Sequence, residues 1–212
     1  MKKIIIIIVL LLALTGCTNI NDLSYEQIAG NFGVNSPKTN EFRTGYKYYL
    51  PRGMQVQDSS LFNEVLDDGR YNYYLYVDAV SYINKVKYDY KENGTSEFSA
   101  SIKNGDKFGY IEVNLRENDK YLVEIMYNYA KIEVIVDKND IKLSMISAIS
   151  ILRSIEYNDN IITNLLEDDV LNFAEEEMDI FNTGGEDNES VLVDPDDYKP
   201  TQEVVPDTDY LN

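Results

Sequence analysis

The chain has no histidine and no tryptophan, and it has a single cysteine, Cys17. The absence of histidine excludes Ser-His-Asp and Cys-His nucleophilic systems, and it also excludes zinc sites built on histidine ligands. The sequence contains neither the G-x-x-x-x-G-K-[ST] pattern of phosphate-binding loops nor the G-x-G-x-x-G pattern of dinucleotide-binding folds. We therefore assign no catalytic residue and no cofactor from motifs.

Carboxylates remain the side chains best suited to catalysis or metal binding in this sequence. Asp67 and Asp68 are candidates for paired-carboxylate chemistry, as in glycoside hydrolysis, but the glycine that follows them favours a solvated hairpin turn. Asp137, Asn139 and Asp140 supply the oxygen ligands that calcium prefers. Because the segment lacks the glycine and the final glutamate of an EF-hand loop, capping of a following helix is favoured, and no metal site is assigned.

Charge is distributed very unevenly along the 212 residues. The formal net charge is −18, and residues 157–212 contribute 17 Asp or Glu against one Lys, or −16. Residues 18–156 carry 16 Lys or Arg against 20 Asp or Glu, so this part is nearly neutral. Nucleic-acid binding needs basic stripes, and we therefore expect no nucleic-acid partner.

The N-terminus has the layout of a secretory signal. Lys2 and Lys3 precede an uninterrupted apolar run of 11 residues, from Ile4 to Leu14. This run is too short to cross a bilayer, which takes about 20 apolar residues. It leads into Leu-Thr-Gly-Cys at residues 14–17, which resembles the bacterial lipobox. The alternative, a free or buried cysteine after an uncleaved anchor, is disfavoured because charge, run length and motif agree.

The resemblance to a bacterial lipoprotein implies cleavage before Cys17 and acylation of its sulfur. Residues 1–16 would be the signal peptide and residues 17–22 a lipidated tether that reaches less than roughly 20 Å. The expected location is the extracytoplasmic face of the cell membrane. The richness in Ile, Asn, Lys and Tyr suggests a low-GC bacterium with a single membrane. With Cys17 acylated, no cysteine would remain for a disulfide.

Residues 23–157 predict one α+β domain with an antiparallel sheet of about five to seven strands. Ser24 and Gln27 have the spacing of a capping box at the start of a short helix. Turn signals at Asp68-Gly69 and Asn93-Gly94 predict two hairpins. The segment 70–83 is expected to be a central strand. In 130–137, Lys131 and Glu133 are expected to point outward, opposite the alternating apolar residues.

The apolar period changes after residue 138, which predicts a long amphipathic helix over 139–157 packed across the sheet. Its apolar stripe consists of Ile141, Met145, Ala148, Ile149, Leu152 and Ile155. "YYLPRGM" near the start and "AISILRSIEY" near the end resemble the PsbP-like α+β sandwich, and this resemblance implies the fold alone. Residues 158–182 could form an acidic helix, and the low hydrophobicity of 183–212 predicts a disordered acidic tail.

We favour a membrane-anchored lipoprotein that acts as a non-enzymatic interaction module for another envelope protein. Contact with that partner would run through the acidic C-terminal segment, in which 170–181 could fold on binding; a purely solubilising tail is the alternative. The tyrosines of the sheet could serve surface recognition or plain sheet packing. A cell-envelope hydrolase or accessory using carboxylates and a small-ligand-binding lipoprotein remain alternatives for the whole protein.

Overall fold

The computed structural model describes residues 19–33 and 35–167. Within this range the chain forms ten strands: β1 Glu41–Arg43, β2 Tyr46–Tyr48, β3 Gln55–Ser60, β4 Asn63–Asp67, β5 Asn72–Val77, β6 Phe98–Asn104, β7 Lys107–Leu115, β8 Lys120–Tyr127, β9 Ala130–Asp137 and β10 Glu156–Tyr157. Seven of them build one antiparallel sheet in the order β3-β4-β5-β9-β8-β7-β6. The strands β1, β2 and β10 build a small separate sheet.

The described α-helices lie before, between and after the strands: α1 Tyr25–Ala29, α2 Ala79–Asn84, α3 Ile141–Leu152 and α4 Asp159–Glu167. A short 3-10 helix, Ile20–Asp22, precedes α1. The longest helix, α3, packs across β8 and β9 at the centre of the large sheet, and α1 packs beside α3. This arrangement confirms the predicted α+β class and the helix across the sheet.

The hydrophobic core lies between α3 and the face of the large sheet that α3 covers. Alternating residues of the strands point into it, because successive side chains of a strand face opposite sides. The central strands contribute Tyr73, Leu75, Ile111, Val113, Tyr121, Val123, Ile125, Tyr127, Ile132, Val134 and Val136, all buried. From the predicted stripe, α3 contributes Ile141, Met145, Ala148, Ile149 and Leu152, also buried.

Several local predictions are confirmed. The side chain of Ser24 accepts from the amide of Gln27 at 3.2 Å, and the Gln27 side chain accepts from the amide of Ser24 at 2.8 Å. This pair is the expected capping box of α1. The hairpin between β4 and β5 turns at Asp68-Gly69, where Gly69 adopts a φ of 86° that suits glycine.

Three local predictions are wrong. The expected strand over 70–83 ends at Val77, and α2 follows it with the Asp78 side chain as its N-cap. Asn93-Gly94 joins no pair of strands, because the Asn93 side chain accepts from the Thr95 amide within an irregular segment over 85–97. The long helix ends at Leu152, short of residue 157, because the chain there turns into β10 and pairs with β2.

Candidate functional site

The part of the chain next to the anchor motif is folded almost from its first described residue. The 3-10 helix Ile20–Asp22 is capped by the Asn19 side chain, which accepts from the Asn21 amide at 3.1 Å. The Lys142 ammonium, in the first turn of α3, donates to the Asn21 carbonyl at 2.7 Å. Cys17 itself lies outside the described residues. Only Thr18 separates it from the folded domain.

Exposed apolar side chains lie on both segments that the hydrogen bond between Lys142 and Asn21 joins. Ile20 is 36 % exposed and Leu143 is 46 % exposed. The charges around them are mixed, because Lys138 and Lys142 share this end of the molecule with Asp22 and Glu26 on the N-terminal segment. We call this region the anchor end; it is the end of the large sheet at which β9 stops and α3 begins.

A second candidate site lies on the face of the large sheet opposite α3, which we call the second face. Three glutamates form a row across neighbouring strands, with Glu112 paired to Glu124 and Glu124 paired to Glu133. Lys131 lies in the next row and its ammonium is 2.6 Å from a Glu133 carboxylate oxygen. Lys131 and Glu133 do point away from the core as predicted, but both are buried and not exposed to solvent.

Two tyrosines of the second face donate to this row of glutamates. The Tyr110 hydroxyl donates to Glu124, and the Tyr90 hydroxyl donates to Glu112 at 2.6 Å. The Tyr90 and Tyr110 rings stack with their centroids 4.4 Å apart. The segment over 85–97, predicted as part of a hairpin, therefore closes over β7 and covers part of this face.

Burial has the largest effect on the charge of Glu124, the middle member of the glutamate row. It raises the pKa of Glu124, and the negative charges of Glu133 and Glu112 raise this pKa further. The Lys131 ammonium and the Tyr110 hydrogen bond act in the opposite direction, since both favour the ionised carboxylate. Burial also raises the pKa of Tyr110 far above its ordinary value, so its hydroxyl stays protonated and acts as a donor.

A further carboxylate, Glu64, is buried on the core side of the sheet. Its side chain is 0 % exposed and accepts from the hydroxyls of Tyr46 and Tyr48 at 2.6 and 2.8 Å. The Arg43 guanidinium approaches the same carboxylate with two nitrogens, at 2.8 and 2.7 Å. Both oxygens are therefore engaged by donors within the protein. This arrangement suits a structural ion pair that ties the small sheet to the large one.

The carboxylates singled out from the sequence belong to the turn that was predicted for them. One oxygen of Asp67 accepts from the Gly69 amide at 2.6 Å. One oxygen of Asp68 accepts from the amides of Arg70 and Tyr71, both at 2.9 Å, and its other oxygen accepts from the Tyr73 hydroxyl at 3.0 Å. These hydrogen bonds fix the turn, and they leave Asp67 and Asp68 in separate local networks.

Two of the three residues considered as calcium ligands, Asp137 and Asp140, are engaged with protein groups. Asp137 forms an ion pair with Lys120 at 2.8 Å. Asp140 occupies the N-cap position of α3 but makes no side-chain cap, so the predicted capping role is wrong for it. Its carboxylate instead takes both terminal nitrogens of Arg70, one of them at 2.9 Å. The Arg70 hydrogen bond, together with one from Tyr71, lowers the pKa of Asp140.

Across 19–33 and 35–167, no three Asp, Glu, His or Cys side chains converge in a group that could hold a metal ion. Every tyrosine in the same range is buried or half-buried. The hydroxyls of eight of them donate to a carboxylate of the protein: Tyr46, Tyr48, Tyr71, Tyr73, Tyr82, Tyr88, Tyr90 and Tyr110. For the described residues, packing accounts for these tyrosines better than surface recognition does.

Comparison with known proteins identifies the N-terminal segment. Residues 1–18 match the family described as the prokaryotic membrane lipoprotein lipid attachment site. This match indicates a bacterial lipoprotein signal, as the sequence predicted, and such a signal is typical of a membrane-anchored lipoprotein. No curated protein and no solved structure matches the chain, so the resemblance to the PsbP-like sandwich finds no support there. Of the helices that the structure describes, none has the length and apolar character to span a bilayer.

The anchor motif is evident in the sequence, whereas the glutamate row and the Glu64 cluster are visible only in the structure. Alternation placed Glu133 on the correct side of its strand. It gave no signal that Tyr110 and Tyr90 would close over the glutamate row. Glu64 lies within the segment read as the first strand of a hairpin, and its partner Arg43 lies 21 residues earlier in the chain. Such a pairing leaves no local trace in the sequence.

Proposed function

We propose that this lipoprotein is acylated at Cys17 and works at the extracytoplasmic face of the membrane as a non-enzymatic interaction module for another envelope protein. The observation that carries the proposal is the junction between anchor and domain. The match to the lipid attachment site ends at residue 18, and the folded domain begins at Asn19. Such a junction confines the domain to the membrane surface, which raises its effective concentration for membrane partners.

The acidic C-terminal segment supports a protein partner with a basic surface. Residues 157–212 contribute −16 of the net charge of −18, whereas the preceding domain is nearly neutral. Opposite charge on a partner accelerates encounter and favours one docking orientation. Within this segment 170–181 combines apolar residues with acidic ones, a composition suited to folding on a partner surface. These residues lie outside the described part of the chain.

The test is an affinity pull-down from native membranes with the full-length protein and with a variant that lacks 168–212. The deletion begins after Glu167 because Ile162 of α4 is fully buried in the core. A partner that co-purifies with the full chain and is lost with the deletion would support the proposal. A partner retained in equal amount would show that the acidic segment is dispensable for the interaction.

A length-matched control separates the effect of acidic charge from the effect of chain length. Glu175, Glu176 and Glu177 are consecutive, and their replacement by glutamine removes three charges without shortening the chain. If attraction to a basic partner contributes, this variant should bind more weakly and with a smaller salt dependence. A hydrolase that uses carboxylates of the folded domain would instead keep its activity in both variants.

A further inference from the structure

The link between the proposed lipid and the folded domain is too short to act as a flexible tether. Two peptide units join Cys17 to Asn19, and at about 3.6 Å per residue they span roughly 7 Å. The headgroup layer of each leaflet is itself about 5–8 Å thick, from the difference between the whole bilayer and its hydrocarbon core. The 3-10 helix Ile20–Asp22 must therefore lie within this layer or directly on it.

The orientation of the 3-10 helix determines the orientation of the domain. Its Asn21 carbonyl accepts from Lys142 of α3 at 2.7 Å, and the Leu23 amide donates back to the Ile20 carbonyl at 3.2 Å. The next element, α1, packs against α3. A lipid that holds this 3-10 helix at the bilayer consequently holds the first turn of α3 there as well.

The side chains at the anchor end suit an interfacial position. Ile20 and Leu143 are partly exposed apolar residues, and moving each side chain from water to the boundary between headgroups and acyl chains is favourable. Lys142 carries a long apolar stem and a terminal ammonium, which is the type of side chain that reaches toward phosphate at an interface. Asp22 and Glu26 balance the local lysines, so the attraction does not depend on a strongly anionic membrane.

We infer that the anchor end, with Ile20 and Leu143, rests on the phospholipid headgroups, and that the opposite end of the sheet faces away from the membrane. The inference depends on acylation at Cys17. At the opposite end, α2 starts beside the turn between β8 and β9, where the Asp78 amide donates to the Tyr129 carbonyl at 2.8 Å. β9 has eight residues, and at about 3.3 Å per residue it keeps the two ends roughly 25 Å apart.

The chain contains no tryptophan, so single tryptophan substitutions report position without background. Leu143→Trp places the reporter at the anchor end. Val86→Trp is the matched control, because Val86 follows α2 at the opposite end and is similarly exposed, 40 % against 46 %. Both variants are purified from native membranes with the lipid attached and reconstituted in phosphatidylcholine and phosphatidylglycerol vesicles. Brominated acyl chains serve as the quencher.

We expect the fluorescence of the Leu143→Trp variant to shift to shorter wavelength and to be quenched at least twofold more than that of the Val86→Trp variant. Equal quenching of the two variants while both float with the vesicles would overturn the inference and leave the anchor intact. Failure of either variant to float would overturn acylation at Cys17 and the inference with it. Should Leu143→Trp disturb folding, Ile20→Trp supplies a second reporter on the other segment of the anchor end.

A spacer variant tests whether the short link between Cys17 and Asn19 is what holds the anchor end at the membrane. Ten Gly and Ser residues inserted between Thr18 and Asn19 leave the attachment motif and the domain unchanged. The lengthened protein should still float with vesicles, but the quenching of tryptophan at position 143 should fall toward that of the control. Quenching that persists at full strength would show that the surface binds lipid by its own affinity and not through the short link.

Discussion

The ion pair inside the core allows the sharpest prediction about stability. Glu64 has a side chain with no exposure, and it receives hydrogen bonds from Tyr46, Tyr48 and both the Nε and Nη2 nitrogens of Arg43. Arg43→Met removes the only cation among these donors while it keeps much of the side-chain volume. The carboxylate would then remain buried with two phenol donors.

The magnitude follows from this geometry. Removal of one partner from a buried ion pair costs about 3–5 kcal/mol, because the remaining charge is uncompensated. Arg43 has a side chain that is 20 % exposed, so water can partly replace it, and we expect a loss of about 3 kcal/mol in the free energy of unfolding. For a domain of this size each kcal/mol lowers Tm by about 2–4 °C, which gives a decrease of about 6–12 °C.

Urea denaturation followed by circular dichroism measures this difference. Two further variants make the result specific. Arg43→Met combined with Glu64→Gln should recover most of the loss, since a neutral amide keeps one oxygen that accepts from one tyrosine and an NH2 group that can donate to the hydroxyl oxygen of the other. Lys47→Met breaks an exposed pair with Glu156 at 2.9 Å and should cost about 0–1 kcal/mol. The reasoning fails if Arg43→Met costs no more than Lys47→Met, or if the double variant is no more stable than the single one.

Two other substitutions test the second face and the packing of β7 against β8. Burial raises the folded-state pKa of Glu124 above its ordinary value of 4.5, so the stability that its protonated form contributes is complete below pH 4.5 and is lost as pH rises through the folded-state pKa. The Glu124→Gln variant should therefore become more stable relative to the wild type as pH rises toward neutrality. A stability difference between the two proteins that stays constant across pH 4–8 in denaturation curves would refute this expectation. A Cβ at Gly109 would lie 2.0 Å from the Met126 carbonyl oxygen, whereas one at Gly94 meets nothing within 4 Å. Gly109→Ala should thus destabilise the domain by about 1–3 kcal/mol and Gly94→Ala should not, and equal melting temperatures for the two variants would contradict the close approach of β7 and β8.

The large sheet and its long helix could be predicted because their signals are local. The alternation of Tyr121, Val123 and Ile125 and the helical stripe of α3 reflect contacts with one continuous core. The turn at Asp68-Gly69 is likewise specified by residues next to each other in the chain.

The missed features depend on partners far apart in the chain. The small sheet forms because β2 pairs with β10, more than a hundred residues later. Asp140 gives up its expected capping role because Arg70 takes its carboxylate from across the fold. An alternating pattern also predicts that the polar side of a strand faces solvent. This prediction is wrong on the second face, because Tyr90 packs over Tyr110 and Lys131 forms a buried pair with Glu133.

The central claim is that this chain is held at the membrane by a lipid on Cys17. The most direct measurement is the mass of the N-terminal peptide of the protein extracted from its native membrane. We predict a mature chain that starts at Cys17 and carries a diacylglyceryl group, and we predict that Cys17→Ala accumulates as a precursor that retains residues 1–16. A membrane-bound wild-type chain with an unmodified Cys17, or a Cys17→Ala variant that is still cleaved and acylated, would contradict the account.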